Sequence, residues 1–240
     1  MNISVNSLVS KAICAHAAAE FPRESCGVVV VVRGKQRYIP CRNIAEGGGD
    51  FDIHPDDLND AEGVGEVTHI VHSHPNMPAL PTEADLVGCE DSELPWIIVN
   101  WPTGTMYEFA PSGYVAPLVG RSYAHGVLDC YSLIRDYYKR ELDIDIPDFD
   151  RTDKWWDKGG NLYMENFEKA GFIAVTGDIQ KHDVVLMQIS STVVNHGAIY
   201  IGDGLIMQHC TNRLSSRDVY GGYWQRCTHV VVRHRSLTNA

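Results

Sequence analysis

The 240-residue sequence lacks the features that would mark it as a nucleic-acid-binding or membrane-spanning protein. It has no basic stretch, and 20 Lys and Arg residues against 31 Asp and Glu residues give a net charge of −11. A phosphate backbone attracts basic surfaces, so this balance argues against nucleic acid as a partner. The valine run at residues 28–32 is far shorter than the about 20 residues that cross a bilayer. No membrane span is therefore expected.

The cysteines do not form a disulfide framework. There are seven of them, an odd number, and their spacing is irregular and contains no Cys-x-x-Cys pair. Paired cysteines at regular spacing are typical of secreted domains. The first residues also lack the positive start and apolar stretch of a secretory signal. Both observations predict synthesis and folding in a reducing cytoplasm.

The composition and the length of the sequence indicate a folded protein of two domains. Hydrophobic residues make up 44% of the chain and charged residues 21%, which is ordinary for a globular protein with a real core. The length fits two domains of about 120 residues. The sequence around residues 110–117 breaks both helical and strand periodicity, so we expect domains at 1–113 and 114–240, although a long surface loop is the alternative.

The first half mixes helical and strand patterns, which predicts an α+β fold with a mixed sheet and flanking helices. The continuous apolar run at 26–32 indicates a strand buried on both faces. Glycines at 47–49 indicate a mobile loop. Helices are predicted at 5–20, 55–61 and 82–89, and strands at 26–32, 36–39, 67–73, 96–100 and 105–109.

The strongest chemical signal is His72-Ser-His74-Pro, followed by Thr82 and Asp85. Side chains two residues apart on a strand point to the same face, so His72 and His74 can share one ion. Asp85 could supply an oxygen ligand, and two histidines with one carboxylate leave zinc a position for water. The alternative is an ordinary helix start, with Thr82 as the N-cap and Asp85 in the first turn.

The same residues resemble the zinc signature of the JAMM (MPN-plus) metallopeptidases. That resemblance implies Zn²⁺ held by His72, His74 and Asp85, and a catalytic glutamate after the first helix. Glu24, in Pro22-Arg-Glu-Ser-Cys-Gly27, occupies that place. Thr82 stands where the family has serine, so the hydroxyl is kept.

In the second half, helices are predicted at 131–142 and 161–170, and strands at 183–190, 195–201 and 205–209. The acidic stretch at 143–153 lacks the regular ligand spacing of a calcium loop, so we expect a solvated surface. Cys130 begins the first of these helices. The positive end of a helix favours thiolate over thiol, as a nucleophile requires. A buried cysteine without chemistry is the alternative.

A base for such a nucleophile lies in the predicted hairpin around Gly202-Asp203-Gly204. With a two-residue loop, His196 faces His209 across the hairpin. With a three-residue loop, His196 faces Cys210 and Gln208 is its diagonal neighbour. With Cys130 as the nucleophile, either arrangement supplies His196 as the base and a group that orients it, Gln208 or His209.

Asp129-Cys130 and the strand that begins at His196 resemble the NlpC-type papain-like cell-wall peptidases. The family's third residue, usually histidine, falls on Gln208, one position before His209. The chain has Tyr131-Ser132 where family members often have Ser-Gly, and His182-Asp183 where they have Gly-Asp.

A JAMM-like half followed by an NlpC-like half resembles the tail tip proteins of lambda-like, long-tailed phages. That resemblance implies a virion tail tip location, synthesis in the host cytoplasm, contacts with tail tip and hub proteins, and cleavage of peptidoglycan peptides. The first hypothesis is a two-site hydrolase carried by the virion. The alternatives are a structural tip protein with inactive or assembly-only sites, and a free bacterial wall-remodelling endopeptidase.

Overall fold

The computed structural model describes residues 3–46 and 51–238. The chain divides into two compact units, Met1–Val115 and Ala116–Ala240. Each contains both helices and a sheet, which confirms the α+β fold class. None of the helices in these described ranges combines the length and apolar character needed to span a bilayer. The predicted glycine loop at 47–49 lies outside the described residues.

The first unit is built on a five-stranded sheet in the order β2-β1-β3-β4-β5. The sheet is mixed, because β3 and β4 run parallel while the other neighbours are antiparallel. Its strands are β1 Cys26–Val32, β2 Lys35–Cys41, β3 Glu66–Pro75, β4 Trp96–Trp101 and β5 Met106–Phe109.

Helices cover both faces of this sheet. They are α1 Ser7–Glu20, α2 Pro55–Val64 and α3 Glu83–Ser92. On one face Ile13 of α1 packs with Val29, and on the other Ala61 of α2 packs with Val28 and Val30. Alternate valines of β1 therefore point into different cores, which confirms the predicted double burial. Each such side chain contributes about 1.5–3 kcal/mol when it leaves water.

The second unit contains a six-stranded antiparallel sheet in the order β10-β9-β8-β7-β11-β6. Its strands are β6 Phe172–Ala174, β7 Val184–Met187, β8 His196–Gly202, β9 Leu205–Gln208, β10 Ser216–Val219 and β11 Thr228–His234. Its helices are α4 Cys130–Leu142, α5 Leu162–Asn166 and α6 Tyr223–Cys227. Leu133, Ile134 and Tyr137 on one side of α4 join the main core of this unit.

Two predicted elements are shorter than expected. The helix at 161–170 ends at Asn166 and continues as turns, where the Asn166 side chain bonds the Leu162 carbonyl at 2.9 Å. Asparagine side chains compete in this way with helical backbone bonds. The strand at 183–190 ends at Met187, because the Asn195 amide bonds both backbone groups of Ile189 and closes a loop.

The β8–β9 hairpin adopts the second of the two predicted registers. Ala198 faces Gln208, and an irregularity between Tyr200 and Gly202 absorbs the turn. Side chains in diagonal positions on one face of a sheet are within reach of each other. This register makes Gln208 the diagonal neighbour of His196.

Candidate active sites

In the first unit, three buried side chains converge at the end of β3. The Nε2 atoms of His72 and His74 lie 3.1 Å apart. Asp85, in the first turn of α3, places Oδ1 3.2 Å from His72 Nε2 and Oδ2 3.5 Å from His74 Nε2. Among the described residues, this is the one group whose nitrogen and oxygen atoms are arranged to hold a metal ion.

Asp85 is both a helix cap and a member of this cluster. The Thr82 hydroxyl and backbone N–H donate to Asp85 Oδ2 at 2.8 and 2.7 Å, and the Asp85 N–H donates back to the Thr82 hydroxyl at 3.1 Å. The sequence presented capping and ligation as alternatives. The reciprocal cap instead holds the carboxylate while it faces the two imidazoles.

The two rings are oriented by different means. His74 Nδ1 lies 2.9 Å from the Pro78 carbonyl, which can only accept, so Nδ1 carries the proton of the neutral ring, and the Nε2 lone pair of that neutral form is on the side of Asp85. His72 has no hydrogen-bond partner for Nδ1 among the described residues. Its ring is held by stacking on Phe51 at 4.4 Å and by the edge of Trp96 at 5.6 Å. An Nε2 lone pair on a ring of fixed orientation is what ligation of zinc by histidine requires.

Burial and the carboxylate determine the charges here. Burial lowers the pKa of His72 more than Asp85 raises it. Burial also acts to lower the pKa of His74, but hydrogen bonds to Asp85 and Pro78 raise it above the usual value. The pKa of Asp85 lies far below its usual range, because the contacts with both imidazoles and the Thr82 N–H outweigh burial. Asp85 is therefore an anion over a wide pH range, and the cluster suits a cation.

Glu24 lies at the same edge of the sheet. Cys26 faces His72, and Ser25 and Ser73 exchange hydrogen bonds at 2.8 and 2.9 Å. Continued by one step, this pairing puts Glu24 across from His74. Its side chain is buried, and its charge acts to raise the pKa of His74. The structure therefore brings Glu24 to the histidine cluster.

In the second unit, a buried ion pair fixes the start of α4. The Asp129 carboxylate accepts hydrogen bonds from the Ser132 N–H at 2.9 Å and the Gly126 N–H at 3.0 Å. It also accepts from Arg151 Nε at 2.6 Å. Burial alone would raise the pKa of Asp129, but Arg151 and the backbone donors lower it to about 2. Asp129 is thus a charged anchor that positions the next residue.

Cys130 lies in a pocket of hydrogen-bond donors. Its Sγ is 3.1 Å from the Tyr163 hydroxyl, and the Gly197 backbone N–H also points to the thiol. Burial and the neighbouring Asp129 nevertheless raise the pKa of Cys130, against the effects of Tyr163, Gly197 and Arg151. The expectation that the helix N-terminus leaves a thiolate is therefore wrong for this structure. Reaction at Cys130 requires a base that removes the proton.

His196 is oriented by Gln208. The His196 Nε2 lies 3.0 Å from Gln208 Oε1, and both side chains are buried. His209 makes no such contact: its Nε2 faces the Arg213 carbonyl at 3.2 Å. Burial and the charge of Arg121 lower the pKa of His209 to about 4. Of the two proposed orienters, the structure brings Gln208 to His196 and holds His209 elsewhere.

Cys130 and His196 line one cavity of about 500 Å³. Aromatic side chains form much of its wall. They are Tyr123, Tyr131, Phe149, Trp155, Trp156, Tyr163, Phe167, Phe172 and Trp224. The charged residues of its lining are Asp129, Arg151, Asp157 and Arg213. A mostly apolar cleft with a few convergent polar groups is typical of a substrate site.

Two contributors to this second site are not apparent from the sequence. Tyr163 reaches Cys130 from a helix 33 residues away along the chain. Arg151 lies within the stretch that the sequence suggests is only a solvated acidic surface. A single arginine among aspartates is the available signal, and its partner Asp129 lies 22 residues earlier in the chain.

Comparison with known families agrees with this division. Residues 7–110 match Prok-JAB, the prokaryotic homologs of the JAB domain, and residues 120–233 match the NlpC/P60 family. The first match covers the half predicted to be JAMM-like, and the second match covers the half predicted to be NlpC-like. A solved NLP/P60-family protein from Staphylococcus aureus is 18% identical, with a TM-score of 0.36, over 48% of this chain and 37% of its own.

Two curated relatives match both halves together. The tail tip assembly protein K of Escherichia phage N15 is 38% identical over 94% of this chain and 94% of its own length. The protein of the same name from Escherichia phage lambda is 43% identical over 76% of this chain and 89% of its own length. The chain belongs to this family of phage tail tip assembly proteins, as its resemblance to lambda-like tail tip proteins predicted.

Proposed function

We propose that the chain is a tail tip component of the virion that carries two peptidase sites. A zinc metallopeptidase site would occupy 1–113, and a cysteine endopeptidase site acting on peptidoglycan peptides would occupy 114–240. The relatives are tail tip assembly proteins, which supports contacts with other tail tip and hub proteins. Two observations support the proposal: His72, His74 and Asp85 converge in the first half, and Cys130 and His196 line one cavity in the second.

At the first site, His72, His74 and Asp85 would hold Zn²⁺. Bound zinc would supply a Lewis acid that polarises a peptide carbonyl and promotes the ionisation of water. Thr82 would keep the Asp85 carboxylate in place through its two hydrogen bonds. Glu24 would accept the proton of the attacking water and deliver it to the leaving amine.

At the second site, His196 would remove the Cys130 proton as the sulfur attacks a peptide carbonyl in the cell-wall stem. The carbon–nitrogen bond then breaks, and the amine leaves with the proton held by His196. Water hydrolyses the resulting thioester and regenerates the thiol. The Gly197 N–H and the Tyr163 hydroxyl, both next to Cys130, are donors that can stabilise negative charge formed during attack.

Mass spectrometry of muropeptides after incubation with the full chain tests the cysteine site. We expect new cleavage products with the wild type and none with Cys130→Ala. Cys227→Ala is the matched control, because Cys227 is a free cysteine of the same unit outside the cavity lining. Unchanged products with Cys130→Ala would remove the cysteine mechanism.

Metal analysis of the purified full chain tests the zinc site. We expect about one zinc per chain in the wild type and its loss in Asp85→Asn, since the three converging side chains define one site. Asp91→Asn is the matched control, because Asp91 lies on the same helix but outside the cluster. Equal zinc contents in Asp85→Asn and the wild type would exclude this site.

A second candidate function is structural, with sites that are inactive or used only in assembly. The raised pKa of Cys130 favours it, because the thiol is protonated without assistance. Phages carrying Glu24→Gln and Cys130→Ala distinguish the two functions. Normal assembly and infection by the double variant would support the structural role, and loss of infection by assembled particles would support catalysis.

A further inference from the structure

A chain of hydrogen bonds crosses three neighbouring strands behind His196. Gln208 of β9 lies between His196 of β8 and the facing strand β10, where it pairs with Ser216. Asp218 is two residues beyond Ser216 and so shares its face of the sheet. The Gln208 Nε2 donates to Asp218 Oδ2 at 2.7 Å, and the Ser216 hydroxyl donates to the same oxygen at 2.9 Å.

We infer that Asp218 is a positioning residue that sets the tautomer of His196 through Gln208. This inference rests on the proposed cysteine peptidase function, in which His196 is the base. Asp218 does not touch the reacting atoms. Its role would be to decide which end of the Gln208 amide faces the imidazole.

The chemistry of the three groups makes the direction of each hydrogen bond unambiguous. An ionised carboxylate can only accept, so the Gln208 NH₂ group must face Asp218. The amide oxygen then faces His196, and it can only accept as well. The proton of a neutral His196 ring is therefore on Nε2, which leaves Nδ1 unprotonated and able to take the thiol proton.

Without Asp218 this direction is lost. A glutamine amide can rotate by half a turn and exchange its donor and acceptor ends at little cost. The NH₂ group would then donate to His196 Nε2 and place the ring proton on Nδ1, where the imidazole cannot act as the base. The Gln208 side chain is only 1% exposed, so solvent does not take over the function of the carboxylate. A charged acceptor also makes the stronger hydrogen bond, which favours the observed orientation.

The test exchanges the charge between positions 208 and 218 in the full-length chain. In Asp218→Asn, residue 218 can donate or accept, so the bias on Gln208 is removed. In the double variant Gln208→Glu with Asp218→Asn, a carboxylate at 208 can only accept from His196 and so restores the bias. Ser216→Ala is the matched control, because it removes the other donor to Asp218 Oδ2 and leaves the Gln208 contact intact.

Two measurements that need no peptidoglycan report the outcome. Nitrogen-15 NMR of His196, at a pH where the ring is neutral, distinguishes the Nε2–H from the Nδ1–H tautomer. The pH profile of Cys130 alkylation by iodoacetamide reports how readily the thiol loses its proton. We expect one Nε2–H form in the wild type and Ser216→Ala. Asp218→Asn should show a mixture, with alkylation near neutral pH roughly 10-fold slower, and the double variant should return to the wild-type form.

An Nε2–H tautomer that is unchanged in folded Asp218→Asn would overturn the inference. So would a double variant that is folded but retains the mixture. A purely structural contribution of Asp218 would lower thermal stability in both variants and leave the tautomer unmoved. Failure of the wild-type chain to cleave muropeptides would instead count against the proposed peptidase function, and the tautomer result would still decide the role of Asp218.

Discussion

The two candidate sites differ in the charge of their main acidic group: the pKa of Asp85 is lowered, and the pKa of Cys130 is raised. At the first, a carboxylate with a strongly lowered pKa is buried against two imidazoles whose Nε2 atoms lie 3.1 Å apart. That arrangement brings a negative charge and nitrogen lone pairs together, and a bound cation would stabilise it. At the second, burial and the nearby Asp129 raise the pKa of the Cys130 thiol, although the Tyr163 hydroxyl and the Gly197 N–H act to lower it. This difference fits the two proposed functions, in which the first site would bind a metal ion and the second would need its partners to form the thiolate during reaction.

The largest expected effect concerns the ion pair that supports the second site. Arg151→Met leaves the Asp129 carboxylate buried without its partner, which should destabilise the Ala116–Ala240 unit by about 3–5 kcal/mol. Denaturant unfolding measures this difference. Arg135→Met is the matched control, since the Arg135–Asp148 pair is partly exposed and should cost less than about 1 kcal/mol. Equal losses in the two variants would show that the buried pair does not fix the start of α4.

Metal removal should affect only the first unit. Zinc at a thousandfold excess over its Kd would stabilise the folded state by about 4 kcal/mol, and a chelator removes that contribution. Calorimetry of the full chain, with and without chelator, should show a lower unfolding temperature for the transition that His74→Gln also lowers. The transition that Arg151→Met lowers should stay in place. A chelator effect on that second transition would contradict independent sites.

Acid should weaken the second unit through His209. Its folded pKa is lowered from the usual 6.5 to about 4, so the native state resists protonation. The resulting stability is complete above about pH 6.5 and is lost as the pH falls toward 4, by up to about 3 kcal/mol. His209→Gln should flatten this part of the stability profile, measured by urea unfolding at each pH. His229→Gln is the control because His229 is exposed, and an equal flattening there would exclude His209 as the cause.

The smallest expected effect distinguishes the capping role of Thr82 from its support of the proposed metal ligand Asp85. Thr82→Val removes the N-cap hydroxyl of α3, and Asn6→Ala removes the N-cap of α1. Each should cost about 1 kcal/mol in unfolding free energy. Only Thr82→Val should also lower zinc affinity, by roughly 10- to 100-fold, because Thr82 holds Asp85 Oδ2. Zinc titration of both variants measures this, and equal affinities would limit Thr82 to capping.

The sequence predicts the first site better than the second because of how each is encoded. His72, His74 and Asp85 lie within 14 residues, and one strand, one loop and one helix start bring them together. Strand periodicity alone puts the two imidazoles on one face. The stacking of Phe51 on His72 could not be predicted, since nothing local links residue 51 to the end of β3.

The second site depends on contacts between distant parts of the chain. The sequence is compatible with two registers of the β8–β9 hairpin. The irregularity between Tyr200 and Gly202 selects one of them, and the sequence pattern does not specify it. The position of Cys130 at a helix start predicts a nucleophile, but its raised pKa comes from burial in the folded chain and from Asp129. Tyr163, Arg151 and Asp218 have no pattern of their own, because each acts through a partner that only folding brings near.

The independence of the two sites is tested most directly by muropeptide mass spectrometry under metal removal. The full chain should give the same cleavage products before and after dialysis against a chelator, and Cys130→Ala should give none under either condition. Loss of the products on chelation, or their persistence in Cys130→Ala, would contradict the assignment of wall cleavage to a metal-independent cysteine site.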